Sequence, residues 1–187
     1  MKFFIINGHK YYPFAQGRLN KTLFDEIKKI LIENKNEIKT TIIEQGYNVD
    51  EEIKKYKWAD IIIFQTPVNW FSVPWIMKKY FDYIYRYGEF YAGSAEYGKG
   101  GLLNGKRYMY SLTCNPKSED FDNPEGFFEG KSIEDLIVAL HKMQQFCGLS
   151  PIKTFCAYDV VHNPDIPFYL KSLKNHINTY VLNTYIS

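Results

Sequence analysis

Lys2-Phe3-Phe4-Ile5-Ile6-Asn7-Gly8, followed after a short loop by Gln16-Gly17-Arg18-Leu19-Asn20-Lys21-Thr22-Leu23, decides the fold. The first stretch is apolar without alternation, as a central strand is when helices cover both of its faces. The second opens an amphipathic helix. Leu23, Phe24, Ile27, Ile30 and Leu31 recur at helical spacing, Asp25, Glu26, Lys28 and Lys29 take the wet side, and Asn20 is the expected cap. A helix start leaves its first N–H groups unpaired and carries partial positive charge, so the turn between strand and helix suits an anion, phosphate above all. The loop has neither the Gly-x-Gly-x-x-Gly of a dinucleotide fold nor the Gly-x-x-x-x-Gly-Lys-Ser/Thr of a P-loop, which implies a different phosphate-binding loop.

The same strand-then-helix alternation continues outward. Strands are expected over residues 39–43, 60–66, 108–113 and 152–157, and helices over 50–58, 76–87, 132–146 and 168–186. Alternating elements with continuous apolar strands give an α/β, doubly wound parallel sheet. Five strands fit the flavodoxin-like order 2-1-3-4-5, with helices on both faces. In such a sheet ligands lie beyond the carboxyl ends of the strands, near the switch point between strands one and three. The irregular loops follow strands one, three and four, so one site is expected where they meet. Beyond the helix over 76–87, residues 88–105 hold six of the twelve glycines and read as a functional loop.

At 187 residues the chain suits a single domain, residues 1–187. A net charge of +2 gives no electrostatic footprint for nucleic acid or a membrane surface, so a small molecule is the expected partner. Cys114, Cys147 and Cys156 are odd in number and lack metal-ligand spacing; free thiols in a reducing cytoplasm are expected, and no metal site. No apolar run reaches a membrane-spanning length, and the N-terminus enters a strand directly, so a soluble, unprocessed cytoplasmic protein is expected.

After the third strand, Pro67, Trp70, Phe71, Pro74 and Trp75 put large flat side chains on a stiff loop suited to a planar heteroaromatic ring. Backbone N–H groups there could stabilise negative charge developing on such a ring. Packing beneath the following helix is the alternative for Trp70 and Trp75, and the loop position favours the ring contact for Trp70.

Asn7-Gly8, Gly17-x-Leu19-Asn20-x-Thr22-Leu23, Trp58-Ala59-Asp60, Gln65-x-Pro67, Trp70, Pro74-Trp75-x-x-Lys78-Lys79-Tyr80, Tyr97-Gly98-x-Gly100-Gly101-Leu102 and Gly105-Lys106-x-Tyr108-Met109-x-Ser111-Leu112-Thr113 carry a resemblance. It continues through Phe127-Phe128, His141-Lys142, Gln145-Phe146, Gly148 and Asp159-Val160. Together they resemble the modulator-of-drug-activity-B branch of the flavodoxin-like NAD(P)H:quinone oxidoreductases. The resemblance implies a homodimer that binds FAD, rather than FMN, and moves hydride from NADPH or NADH to quinones. By motif it implies a pyrophosphate loop of Ala15, Gln16, Gly17, Arg18, Leu19, Asn20 and Thr22. It implies a ring loop of Pro67, Val68, Asn69 and Trp70, with further contacts from Tyr97, Thr113, Cys114, Asn115 and Pro116. Ala15 stands where the family often has serine, and Val68-Asn69 replaces a Gly-Trp pair.

His9 is a candidate for neutralising phosphate, as histidine does in more distant quinone reductases, against an ordinary surface role. His141, His162 and His176 have no ligand spacing. Tyr97 and Tyr108 are the candidate proton donors to a quinone oxygen. Two other readings remain open: a regulatory accessory subunit of a potassium-efflux system, and an FMN electron carrier or a nitro or azo reductase.

Overall fold

Residues 1–183 are described by a computed structural model of the chain, and β1 (Lys2–Asn7) is an interior strand of its parallel sheet. Around it are arranged α1 (Arg18–Glu33), β2 (Glu37–Ile42), α2 (Val49–Trp58), β3 (Ile61–Pro67), α3 (Trp75–Ile84) and β4 (Arg107–Thr113). Beyond β4 come α4 (Ile133–Leu136), α5 (Val138–Phe146), β5 (Ser150–Pro151), β6 (Phe155–Ala157) and α6 (Ile166–His176), which runs on as a π-helix over Ile177–Leu182. The strands are ordered β2-β1-β3-β4-β5, with β6 also paired to β4. This is the expected flavodoxin-like order.

Strand geometry explains why the central strands are apolar throughout. Successive residues point to opposite faces, so Phe3, Ile5, Ile61, Ile63 and Met109 meet α1 and α6, through Leu23, Phe24, Ile27, Leu31, Leu173 and Ile177. Phe4, Ile6, Ile62, Phe64, Tyr108, Tyr110 and Leu112 face the other way, onto Ile53, Tyr56, Met77, Tyr80, Phe81, Ile84 and Leu140. Among the described residues no helix is long and apolar enough to cross a membrane.

The structure corrects three local expectations. Asn20 does not cap α1: the helix begins at Arg18, and Gly17 takes the N-cap position with φ 74° and no side-chain cap. The helix expected over 132–146 is broken at Ile137, and its start is fixed by a capping box in which Ser132 and Asp135 satisfy one another's backbone N–H groups. The fifth strand is split into β5 and β6, with one residue more on that edge than on β4 between the paired segments. The cause is Glu134. Thr154 donates its N–H (3.0 Å) and its hydroxyl (2.7 Å) to this carboxylate rather than continuing the ladder. The last helix starts at Ile166, and the expected end near residue 186 lies outside the described residues.

A buried polar chain crosses the sheet. Ser111 Oγ donates to Gln65 Oε1 (2.7 Å), Gln65 Nε2 to Asn20 Oδ1 (2.9 Å), and Asn20 Nδ2 to Asn7 Oδ1 (2.8 Å). Asn7 Oδ1 also accepts the His9 N–H at 3.0 Å. All four side chains are buried. Replacing Gln65 by leucine orphans Asn20 and Ser111 together, and a buried polar group left without its partner costs about 1–3 kcal/mol. Urea unfolding of Gln65→Leu is expected to show a loss of about 2–4 kcal/mol. A loss below about 0.5 kcal/mol would show that the chain of bonds holds nothing in place.

Candidate cofactor-binding site

The carboxyl ends of β1, β3 and β4 open into a cavity of about 400 Å³ lined by residues of the loops after β1, β3, β4 and β6 and by the start of α1. This volume lies in the range of small-molecule sites. The buried polar chain is its base, since Asn7 and Asn20 join the β1 loop to α1, and Gln65 and Ser111 carry the tie into β3 and β4.

At the helix end, Gly17 is required twice over. Its backbone is left-handed, and a Cβ there would lie 2.3 Å from the His9 ring. His9 Nε2 lies 3.1 Å from the Ala15 carbonyl, so that nitrogen carries the proton and Nδ1 is the ring's remaining polar atom. Burial lowers the His9 pKa below its ordinary value, and the Ala15 bond opposes this only in part. Arg18 is held beside the helix start by Gln16, whose Oε1 accepts from Nε (3.1 Å) and Nη2 (2.8 Å). An uncapped helix start, an arginine and a titratable imidazole make a corner chemically suited to an anion.

Across the cavity, the β3 loop forms a two-residue hairpin turn. Asn69 and Ser72 exchange both backbone hydrogen bonds (2.8 and 3.1 Å), and the two central residues, Trp70 and Phe71, have φ of 48° and 62°. Positive φ at both centres suits Asn-Gly rather than two bulky aromatic residues. Each such residue costs about 1–2 kcal/mol. Phe71 recovers part through stacking on Phe127 (centroids 6.0 Å apart, planes at 23°), whereas Trp70 is 89 % exposed. The turn also narrows the expected set of backbone donors. The Val68 N–H goes to the Thr113 carbonyl (2.8 Å) and the Asn69 N–H to Ser72, leaving the Trp70 and Phe71 N–H groups for a ligand.

Of the residues expected at the site, His9, Ala15, Gly17, Arg18, Leu19, Asn20, Pro67, Val68, Asn69, Thr113, Cys114 and Asn115 line this one cavity. Asn20 does so with its side-chain amide committed to the polar chain beneath. Gln16 stands behind Arg18, and Thr22 bonds back to the Arg18 carbonyl. Pro116 is tied through its carbonyl to the Asp159 N–H, and Trp70 projects from the rim. Tyr97, 94 % exposed, packs on Phe146 away from the cavity. Tyr108 sits near the amino end of β4, at the opposite edge of the sheet, with its hydroxyl 2.7 Å from His141 Nδ1. As a proton donor to this cavity Tyr108 is therefore corrected: it is fully buried and bonded elsewhere. Lys10, Tyr12, Phe14, Pro74, Val160 and Val161 complete the lining. Tyr12 and Phe14 are stacked (5.2 Å, 13°), and only the aromatic-rich Tyr12-Pro13-Phe14 segment hinted at this in the sequence.

Comparison with known proteins agrees with the fold. The family described as having a flavodoxin-like fold matches residues 1–180. The chain is 36 % identical to the NADPH:quinone oxidoreductase MdaB of Haemophilus influenzae over 95 % of its own length and 97 % of the relative's. Its fold is similar to that of an NAD(P)H:quinone oxidoreductase from Methanothermobacter marburgensis, with a TM-score of 0.74 and 16 % identity over 94 % and 96 % of the two chains. General stress protein 14 of Treponema denticola, solved in complex with FMN, is similar in fold at a TM-score of 0.73 and 16 % identity, covering 95 % of each chain.

The strained turn yields a test. Trp70→Gly removes a positive-φ side chain that packs little, and is expected to raise stability by about 0.5–1 kcal/mol after allowing for the entropy of glycine. Thermal unfolding should then shift upward by about 1–4 °C. A lowered midpoint would mean that Trp70 is held in place by packing and the turn is unstrained.

Proposed function

We propose a function from an established premise, that this chain belongs to the flavodoxin-like fold family. It is a flavin-dependent NAD(P)H:quinone oxidoreductase: one flavin-binding domain, cytoplasmic, working as a homodimer with FAD. The observation that carries this reading is the union, around one cavity, of a helix start suited to an anion and the β3 loop, whose aromatic hairpin turn stands at the rim. Near-complete alignment with the Haemophilus enzyme supports the same reading.

The residues present fit a flavin. Gly17, Arg18 and His9 meet the needs of a phosphate; Pro67, Val68, Asn69, Cys114 and Asn115 offer a mostly uncharged wall to a ring. The Tyr12–Phe14 stack on the phosphate side supplies a platform for an adenine, which favours FAD over FMN. Bound flavin supplies the two-electron exchange between nicotinamide and quinone. The chain's own part is to bind and orient. The Trp70 and Phe71 N–H groups are the donors available to a ring carbonyl, and the exposed Trp70 indole can close over a ring and exclude water.

A homodimer accounts for the exposed aromatic side chains. Trp70, Phe127 and Tyr97 stand 89 %, 77 % and 94 % exposed, a large apolar area for one molecule to leave wet. Tyr97 lies outside its own chain's cavity, so its contact with flavin, and any proton it gives a quinone, is made across that interface.

The first test is an anaerobic visible spectrum of FAD-loaded protein. NADPH should bleach the oxidised flavin band and menadione should restore it. A bound flavin that both NADPH and NADH leave oxidised would overturn the assignment. A second test concerns pH. Burial keeps His9 neutral in the free site, whereas a phosphate at Nδ1 favours the imidazolium and raises its pKa, so binding takes up a proton. Affinity for the flavin phosphate should therefore rise as pH falls through the window between the lowered free-site pKa and the raised bound one. His9→Asn is expected to weaken FAD about tenfold at pH 6 and about twofold or less at pH 8. Equal loss at both pH values would remove the charge from the explanation.

A further inference from the structure

We propose that Cys114 and Cys156 form a reversible dithiol/disulfide couple in the wall of the cofactor cavity, a modification site for hydrogen peroxide and small organic hydroperoxides. The two sulfur atoms lie 3.3 Å apart. Their meeting follows from the register of β4 with β6. Cys156 pairs with Leu112, and Cys114 lies two residues further along β4's path, so both side chains leave the same face of the sheet. Cys114 Sγ also lies 3.7 Å from the Pro116 carbonyl, and Cys156 Sγ lies 3.7 Å from that of Ala157 and beside the Tyr158 hydroxyl.

The roles of the two thiols differ by position. Cys114, although buried, lines the cofactor cavity, whereas Cys156, half-buried on β6, lines a neighbouring one. The Cys114 thiolate attacks one oxygen of the hydroperoxide, the O–O bond breaks, and Cys114 becomes a sulfenic acid as the alcohol, or water, leaves with a proton. The Cys156 sulfur, giving up its proton, then attacks the sulfenic sulfur. The S–S bond forms and the S–O bond breaks, releasing water. Two thiols are oxidised by two electrons and the peroxide is reduced to an alcohol and water. Burial pushes the Cys156 thiol up, which keeps it protonated while Cys114 is unreacted. A disulfide needs the sulfur atoms at about 2.05 Å, so the pair must close by about a further ångström. That movement falls on β6, a three-residue edge segment, and on Cys114, the first residue beyond β4. Since the segment after Cys114 carries Asn115 and the segment after β6 carries Val160, both in the lining, oxidation ties two cavity walls together.

Cys147 provides an internal reference. It is buried at the end of α5, with its thiol pushed up to about 12 by burial. The full chain, without added flavin, is treated with hydrogen peroxide at neutral pH, blocked with N-ethylmaleimide in denaturant, digested and mapped by mass spectrometry. The expected result is a linked peptide pair joining residues 114 and 156 that dithiothreitol releases, with Cys147 recovered as the maleimide adduct. In Cys156→Ser, Cys114 should instead accumulate as sulfinic acid, at least several-fold above the unsubstituted chain. Recovery of all three cysteines as maleimide adducts would overturn the proposal, as would Cys114 over-oxidised in the unsubstituted chain without a linked peptide. Neither readout needs NADPH or a bound flavin, so the result stands apart from the quinone reductase assignment.

Discussion

The buried bonds from Ser111 through Gln65 and Asn20 to Asn7 are the constraint on which the site depends. Three parallel strands and α1 would otherwise be joined across this plane only by backbone ladders and apolar packing, which do not choose between nearby angles of helix on sheet. An amide in a low-dielectric interior does choose, because an unpaired donor or acceptor there is costly. Asn20 lies in the first turn of α1, so satisfying it places the helix start, and the corner suited to an anion with it, over the end of β1. Asn7 then accepts the His9 N–H, which sets the path of the loop that carries the imidazole. The pocket inherits its geometry from polar groups beneath it.

The opposite wall is built by a different means. The Trp70-Phe71 turn holds two aromatic residues in a backbone conformation they disfavour, and one of them is left almost bare. Strain of this kind persists where the surroundings over-determine the backbone, here through the paired Asn69 and Ser72 and the tie from Val68 to Thr113. A polar corner on one side and a strained aromatic turn at the rim make the two sides of the cavity chemically different.

At the far edge of the sheet, Glu134 organises the last strand. Burial pushes its carboxyl up, but hydrogen bonds from His141 and Thr154 outweigh that and hold it below the usual carboxylate value. The same carboxylate interrupts the strand at Thr154 and orients His141 towards Tyr108. Tyr108 looked like a candidate for chemistry because it is a tyrosine in a recognisable motif. Its place at the amino end of β4 makes it part of this structural cluster, and only the strand's direction and the partner of its hydroxyl distinguish the two.

Much of the fold was legible in the chain itself. Unalternating apolar strands, helices of one apolar stripe and loops in the right places are local signals, and burial on two faces leaves a parallel sheet as the arrangement that satisfies them. The meeting of the three loops at one edge follows from that topology. What the sequence could not show were contacts between residues distant in the chain. These are the bonding of Asn20 to Gln65 rather than to its own helix end, the loss of the Val68 N–H to Thr113, the split of the fifth strand by Glu134, and the approach of Cys114 to Cys156. Local propensity and periodicity act over a few residues and so determine the elements and their order. Register, side-chain partners and the identity of a free donor are decided only when strands far apart in sequence are packed against one another, because there each buried polar group must find whichever partner lies within reach.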